Sequence, residues 1–528
     1  MAETAWWEKR WFLALIVLAS TIPLLLPETP PLVDMPGHLG RFRVQLDLAN
    51  SPELQRYFEF HWALIGNLGV DLLVMLLAPL TGLEPAVKLI VMTIPPITAA
   101  GIFWVSKEVH GRIPPTALFA IPFVYSFPFN FGFINFSLAV GLALLAFGYW
   151  LRLTRQSRFK LRFWIFIPIG CALWVVHAFG WGILGLLAFS TEAVRRHDLT
   201  KSWQKTLLGT SLQMTPLALP IVVMATVNNG MISGSTTQFF DTIAKLYSVS
   251  AVLQDRWLIW DCVGVSVAFV LMVAALVEPA FCLSRKMAFS SGVLLIVFVI
   301  MPSHIFGLQY GDARLLPILI MTFISSIQIS DEHSEAARRI AILGLSFFVL
   351  RIVGTTASFA IADNEARTWL SALDHVPEGA PVLSLVGVCN DQWNLPRHSH
   401  LGGFVIARRN GFSNDQWQAA GAQLMRIRYP IAGEFQDERS SVVYSNRCKL
   451  QFERLTGKQL YRNHTPEPAL RRFPRAAFDY VWMIEPGDFD MRAMPGLTPI
   501  WRRKGAVLYR VERARATEAP PLRASMHR

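Results

Sequence analysis

A chain of 528 residues that is 53% hydrophobic and only 16% charged differs from ordinary soluble proteins, in which about a quarter of the residues carry charge. With a mean hydropathy of +0.37, it reads as a polytopic membrane protein. The formal net charge of +12 sits in short Lys/Arg clusters between apolar runs, as membrane orientation requires. No continuous basic, aromatic-interleaved surface is present, which argues against a nucleic-acid partner. The five cysteines show no C-x-x-C spacing, so a zinc site is not expected.

The amino terminus MAETAWWEKR precedes an apolar run, Trp11–Leu26. No small-x-small cleavage site follows it, so it reads as an uncleaved first helix with Lys9 and Arg10 at its cytoplasmic end. A span needs roughly 17–25 mostly apolar residues. Candidates follow at Glu84–Val105, Pro115–Pro128, Phe131–Leu151, Leu161–Ala193, Thr206–Thr226, Leu258–Val277, Met287–Met301, Ala313–Ile329 and Ala337–Phe359. Leu161–Ala193 is too long for one helix and is expected to split at VVHAFGWG (Val175–Gly182), for about eleven spans in all. Pro115–Pro128 is bracketed by prolines and is not expected to cross straight.

The apolar segment His61–Leu80 sets the register. As a span it would place RLTRQSRFKLR (Arg152–Arg162) outside, against the positive-inside rule. As an interfacial helix on the outer surface it makes KEVHGR (Lys107–Arg112), RLTRQSRFKLR, RRHDLTK (Arg195–Lys201), SRK (Ser284–Lys286) and ARR (Ala337–Arg339) all cytoplasmic. It also lets Asn67 and Asp71 reach water. The second reading is preferred. It gives a transmembrane domain over residues 1–359, with an outer loop at 27–83 carrying an interfacial helix at 61–80.

After Phe359 the pattern changes. Strand-like runs (PVLSLVGV, FDYVWMI, AVLYRV) and amphipathic helical runs (EARTWLSAL, NDQWQAAGAQLMRI) predict an extracytoplasmic α/β domain over 360–512. The tail 513–528 lacks a periodic apolar face and is expected to be disordered. Cys389 and Cys448 both fall in this outer domain, where a disulfide and two free buried cysteines are each compatible with the sequence. Cys171, Cys262 and Cys282 lie in or at the ends of membrane helices and read as packing.

Polar residues collect on the outer side. After Asp34, which suits a helix cap, Asp34, His38, Arg41 and Gln45 share one face of a helix and Leu39, Phe42 and Leu46 another. On spacing alone this is an amphipathic surface helix with a satisfied cap and an Asp–His pair. MPSHIFGLQYGDARLLP (Met301–Pro317) brings His304, Tyr310, Asp312 and Arg314, which also fit an interfacial anchor with Arg314 snorkelling. His177 stands at the apex of the split pair, where a turn cap is the simpler reading. Asp241 and Lys245, in TQFFDTIAKLYSV, read as a surface helix. Acid, imidazole and guanidinium from separate loops thus face one leaflet. The apolar interior is nearly free of the titratable groups that a pump needs near the midplane.

The order of parts resembles the GT-C superfamily of membrane glycosyltransferases: a first helix, an outer loop with a functional acid, an interfacial helix, a helical core and a carboxyl-terminal outer domain. VDMPGH (Val33–His38), LAPLTGLEPAVKL (Leu77–Leu89), RLLP (Arg314–Pro317) and VVHAFG (Val175–Gly180) carry the likeness. Many members have adjacent acids in the first loop, whereas Asp34 stands alone here, and Asn130 and Asn135 occupy the second outer turn. Metal binding that needs two carboxylates is therefore not expected, and a divalent metal held in another way stays open.

The resemblance implies a sugar donor on polyprenyl phosphate, a lipid, glycan or protein acceptor, and an enzyme set among the lipids of the cell inner membrane. Its amino terminus would be cytoplasmic and its carboxyl-terminal domain periplasmic. In that scheme Asp34 is the general base and His38 orients it or tunes its pKa. Arg314 and Arg41 hold the phosphate, and His177 contacts phosphate or acceptor. His304, Tyr310 and Asp312 are further substrate-binding candidates, and RHSHLGGF (Arg397–Phe404) is a candidate edge covering the cavity. The alternatives are a non-catalytic scaffold of the same fold in surface-polysaccharide assembly, which the missing second acid favours, and a transporter.

Overall fold

The computed structural model describes residues 5–226, 236–305, 309–389, 393–419, 423–445, 448, 465–487, 489–490 and 495–512. The tail at 513–528 lies outside them. The first helix, α1 (Arg10–Ala19), is shorter than the apolar run and passes through a 3-10 turn at Ile22–Leu24. Then come α2 (Met35–Asp47), a short strand β1 (Phe58–Phe60) and α3 (Gly69–Thr81). The helical core continues with α4 (Leu83–His110), α5 (Ile134–Arg155), α6 (Phe159–Val176) and α7 (Ala178–Thr200).

Beyond these lie α8 (Trp203–Met214), α9 (Leu219–Thr226), α10 (Thr242–Ser250), α11 (Leu258–Val277), α12 (Arg285–Ile300), α13 (Leu316–Ile324) and α14 (Ser334–Leu370). Among the described residues, α4, α5, α6, α11 and α14 are long and apolar enough to cross a membrane. A sixth is gained if α8 and α9, bent by 66°, form one span. Leu15, Leu18, Leu76, Trp164, Ile259 and Val270 are exposed on the helices, as a lipid-facing belt requires. The chain is a multi-pass membrane protein.

Several expected spans take other forms. Pro115–Tyr125 is a fully buried 3-10 helix with Pro122 inside. The stretch Ala313–Ile329 is only a nine-residue helix, α13, before the chain turns into a strand, β3 (Ile327–Ile329). That strand pairs antiparallel with β2 (Phe281–Leu283). The interfacial segment is helical only from Gly69, and residues 61–68 form no regular element but are tied to the core and the C-terminal domain. There the Leu68 amide donates to the Val175 carbonyl and the His61 amide to that of Leu424.

The basic loops gather at one end of the bundle. Arg155 pairs with Glu108, Arg285 with Asp198, and Glu192 with Arg162, Arg195 and Arg196, while Arg112 donates to the Ile329 carbonyl. These contacts tie 107–112, 152–162, 195–201 and 284–286 together, as one membrane face would.

The C-terminal domain lies at the opposite end. Helix α14 passes residue 360 unbroken to Leu370, and Trp369 Nε1 donates to the Lys504 carbonyl. A mixed sheet follows, built on β4 (Pro381–Gly387), which pairs parallel with β5 (Phe412–Ser413), β7 (Val442–Val443) and β8 (Tyr480–Ile484). The last strands, β9 (Leu497–Arg503) and β10 (Ala506–Val511), add antiparallel beside β8 in the order β8-β10-β9. A short helix, α15 (Gly403–Arg409), packs on α2.

The predicted helix at Asn414–Ile427 is not formed in its described part. Residues 414–419 are irregular, and Met425–Ile427 is a strand, β6, paired antiparallel with β1. The outer loop thereby enters the domain's own core: Val44, Leu54, Tyr57 and Phe58 pack with Leu383, Val481 and Tyr509. Burial of this apolar surface, at about 25 cal/mol per Å², fixes the domain to the outer loop.

A disulfide joins Cys389 to Cys448, and Cys171, Cys262 and Cys282 are free. Alkylation of the unfolded, unreduced protein should therefore label three cysteines, and five only after reduction. Five labelled before reduction would contradict the bond.

Candidate functional site

Helix α2 is not the amphipathic surface helix its spacing suggests. Met35, Pro36, Leu39, Arg41, Phe42 and Val44 are all buried, because α2 is wedged between the helical core and α15. Asp34 occupies the cap position, yet its side chain makes no cap bond. Backbone pairing holds it instead, with the Asp34 amide donating to the Phe131 carbonyl (2.8 Å) and the Val33 amide to that of Asn130 (3.3 Å). Gly132, at φ +108°, makes this approach possible. A Cβ there would lie 2.9 Å from Asp34 Cβ, and the positive φ is strained for other residues.

The Asp34 carboxyl is thus left for a cavity of ≈ 120 Å³, lined also by His38, Arg41, His177, Arg314 and Trp417. Burial, and then the neighbouring Glu438, push Asp34 up to about 8 against the opposing pull of Arg314. Burial raises Glu438 and Asp415 to about 7 each.

The expected Asp34–His38 pair does not form. His38 Nε2 contacts the Gly132 carbonyl (3.1 Å) and its Nδ1 faces Arg41 Nη2 (3.5 Å). A carbonyl can only accept and a guanidinium can only donate, so the ring is neutral with its proton on Nε2. Burial, and then Arg41, lower its pKa to about 3. His38 therefore supports the wall of the site and does not orient Asp34.

Arg41 is committed too. It forms a two-pronged ion pair with Asp71, both groups at most 3% exposed, so Asp71 does not reach water. Asn135 joins this network, donating to Asp71 Oδ2 (3.1 Å) and to the Asn67 carbonyl (3.2 Å) while accepting from the Val70 amide. Asn130 donates to the Tyr125 and Gln254 carbonyls. Both asparagines are thus bound into the scaffold. Among the described residues no three His, Cys, Asp or Glu side chains converge.

Arg314 differs from the other buried cations. Its guanidinium lies 3.9 Å from the centre of the Phe133 ring, makes one long bond to the Gln309 carbonyl (3.4 Å), and leaves Nε without a partner. A buried guanidinium with unused donors is an anion site in waiting. His177 caps α7, its Nδ1 accepting from the Phe179 amide (3.1 Å); its neutral ring then carries the proton on Nε2, and it lines the same cavity.

The remaining candidates lie outside this cavity. Asp312 accepts from Lys245 Nζ (3.0 Å), Ser303 Oγ (2.9 Å) and the Ala313 amide (2.8 Å). Lys245 also donates to the Phe298 and Met301 carbonyls, so both groups are structural. Tyr310 packs on Phe127 and Phe131 with centroids 5.1 and 5.2 Å apart. His304 is bridged to Thr237 through the backbone.

The sequence pointed to the C-terminal domain as a cover but singled out none of its residues near the site: His400, 3.8 Å from Asp34, Trp417 and Glu438. Only the RHSHLGGF edge pointed toward it. A buried pair inside the helices, Asp261–Arg351 (3.0 Å), was also missed.

Removing one partner of a buried ion pair costs about 3–5 kcal/mol. Asp71→Ala and Arg41→Ala should each destabilise the purified protein by about that much, and the double variant Arg41→Met/Asp71→Leu should recover most of the loss. Single variants that melt like wild type would show that the pair does not hold α2.

No family model matches the sequence, and no curated protein matches it. In overall layout the chain is similar to two solved structures of ArnT from Cupriavidus metallidurans. The one bound to undecaprenyl phosphate aligns with a TM-score of 0.49 at 10% identity, and the apo form with 0.46 at 12%. Each alignment covers 94% of this chain and 97% of the other.

Proposed function

We propose that this protein is a GT-C-type membrane glycosyltransferase that moves a sugar from a polyprenyl-phosphate donor to an acceptor hydroxyl on the outer face of the inner membrane. The observation that carries the reading is a single cavity holding a carboxyl not used as a helix cap and a guanidinium with unused donors, Asp34 and Arg314.

In this reading the acceptor hydroxyl gives its proton to Asp34 as its oxygen bonds to the anomeric carbon. The bond from that carbon to the phosphate oxygen breaks, and the charge left on the phosphate is stabilised by Arg314. His177 Nε2–H donates to the phosphate or the acceptor. Arg41 acts indirectly, by fixing α2. Two observations support the sidedness: the Cys389–Cys448 disulfide fits an oxidising compartment, and the basic loops lie at the far end of the bundle.

The test is turnover of a panel of polyprenyl-phosphate sugars by purified protein. Asp34→Asn should reduce transfer by at least about 100-fold with unchanged insertion and melting. Arg314→Gln should lose about 100- to 1000-fold. Transfer unaltered in Asp34→Asn would contradict the mechanism. Substrate flux into vesicles without any lipid-linked sugar would point to a transporter.

The base must be ionised, and Asp34 is raised to about 8. The rate should therefore climb as pH rises through about 8 and level off above it. A rate already level between pH 5 and 7 would show that Asp34 is not the titrating base.

A further inference from the structure

The Asp34 carboxyl is approached from the C-terminal domain as well as from the helical core. His400 lies just ahead of α15, with its Nε2 3.8 Å from Asp34 Oδ1. Its Nδ1 lies 3.2 Å from the Asp415 carbonyl oxygen. Because that oxygen can only accept, Nδ1 carries the proton of the neutral ring and Nε2 presents a lone pair. Burial lowers the pKa of this ring to about 4, so the neutral form holds at physiological pH.

Trp417 packs edge-on against the His400 ring at 4.8 Å and against His38 at 5.4 Å. The other ionisable groups acting on Asp34 are Glu438 and Arg314, with Tyr310 beyond the aromatic wall. His38 has both ring nitrogens engaged, and His177 Nδ1 is held by its cap bond. Of the three rings His38, His177 and His400, it is His400, beside Asp34 and behind Trp417, that offers the carboxyl an unprotonated nitrogen.

Resting on the transferase reading above, we propose that His400 is a positioning residue for Asp34, accepting the Asp34 O–H after the carboxylate has taken the acceptor's proton. In that step the acceptor O–H bond breaks, its oxygen bonds to the anomeric carbon, and the phosphate leaves with the electron pair of the broken glycosyl bond. The proton stays on Asp34, turned toward His400 Nε2 and away from the new glycosidic oxygen, until the products depart. The 3.8 Å separation exceeds hydrogen-bond contact, and the bond forms as the site tightens around substrate. Since His400 belongs to the C-terminal domain, that domain must be docked on α2 for the base to be complete.

The test uses full-length protein in bilayers with ¹⁵N-labelled histidine, with His400→Gln assigning the resonance. Nε2 of His400 should be the unprotonated nitrogen. Its shift should change over the pH range in which Asp34 titrates, and Asp34→Asn should abolish that change. In kinetics, His400→Phe should lower kcat about tenfold, the scale of one hydrogen bond to a critical group, with donor KM unchanged. His400→Gln, whose amide oxygen can accept, should recover part of the loss.

A protonated Nε2, a shift indifferent to Asp34→Asn, or wild-type kcat in His400→Phe would overturn the proposal. A wild-type protein whose His400 follows Asp34 but which turns over no lipid-linked sugar would uphold the pairing and overturn the transferase reading.

Discussion

Helix α2 meets the C-terminal domain through glycines with no room for a Cβ, and the site depends on that contact. A Cβ at Gly37 would lie 1.9 Å from the Trp417 ring, and one at Gly403 would lie 2.2 Å from the Pro36 carbonyl oxygen. The backbone approach at Gly403 and the Trp417 ring seated on Gly37 fix the depth at which the domain sits, and Arg43 adds a bond from its Nε to the Ala407 carbonyl. The apolar face of α2, with Leu39 and Phe42, is buried in the helical core, so the helix joins both halves of the molecule. Asp34, at its first turn, is positioned by both.

The charges sort into two kinds. Asp71 with Arg41, Asp261 with Arg351, Asp312 with Lys245 and Asp255 with Arg397 are closed pairs, each charge matched where burial would otherwise be costly. Asp34 and Arg314 are not closed in this way. One is driven toward its neutral form by burial; the other keeps an unpartnered Nε. Pairing is the rule for the buried charges of the helical core, and Arg314, which lines the cavity with an unpartnered Nε, departs from it. Such openness is the physical mark of a site that awaits a ligand.

What was legible in the sequence was local. The loop VDMPGH, the helix break at His177 and the arginine of RLLP each announce themselves within a few residues, through an exit from an apolar run or a proline. What could not be read were partners distant in the chain. Arg41 looked free because Asp71 lies thirty residues away, in a segment whose periodicity placed it facing water. His38 looked like the partner of Asp34 because i,i+4 spacing says so, whereas the Gly132 carbonyl competes for it from the second outer turn. His400 is separated from Asp34 by most of the chain.

The segment containing Trp417 shows the opposite failure. Its composition favours a helix, but pairing of β6 with β1 and packing of the half-buried indole against His38 outweigh that weak local preference. Boundaries suffered likewise: α14 carries its helical pattern through the compositional change near residue 360, so the domain begins packing before the helix ends.

The most direct measurement of the central claim is an experimental structure of the protein with polyprenyl phosphate bound. The account predicts phosphate density against the Arg314 guanidinium, inside the cavity beneath Trp417, with the Asp34 carboxyl facing the side where an acceptor would enter. Phosphate density held elsewhere, with Arg314 and Asp34 untouched, would contradict it.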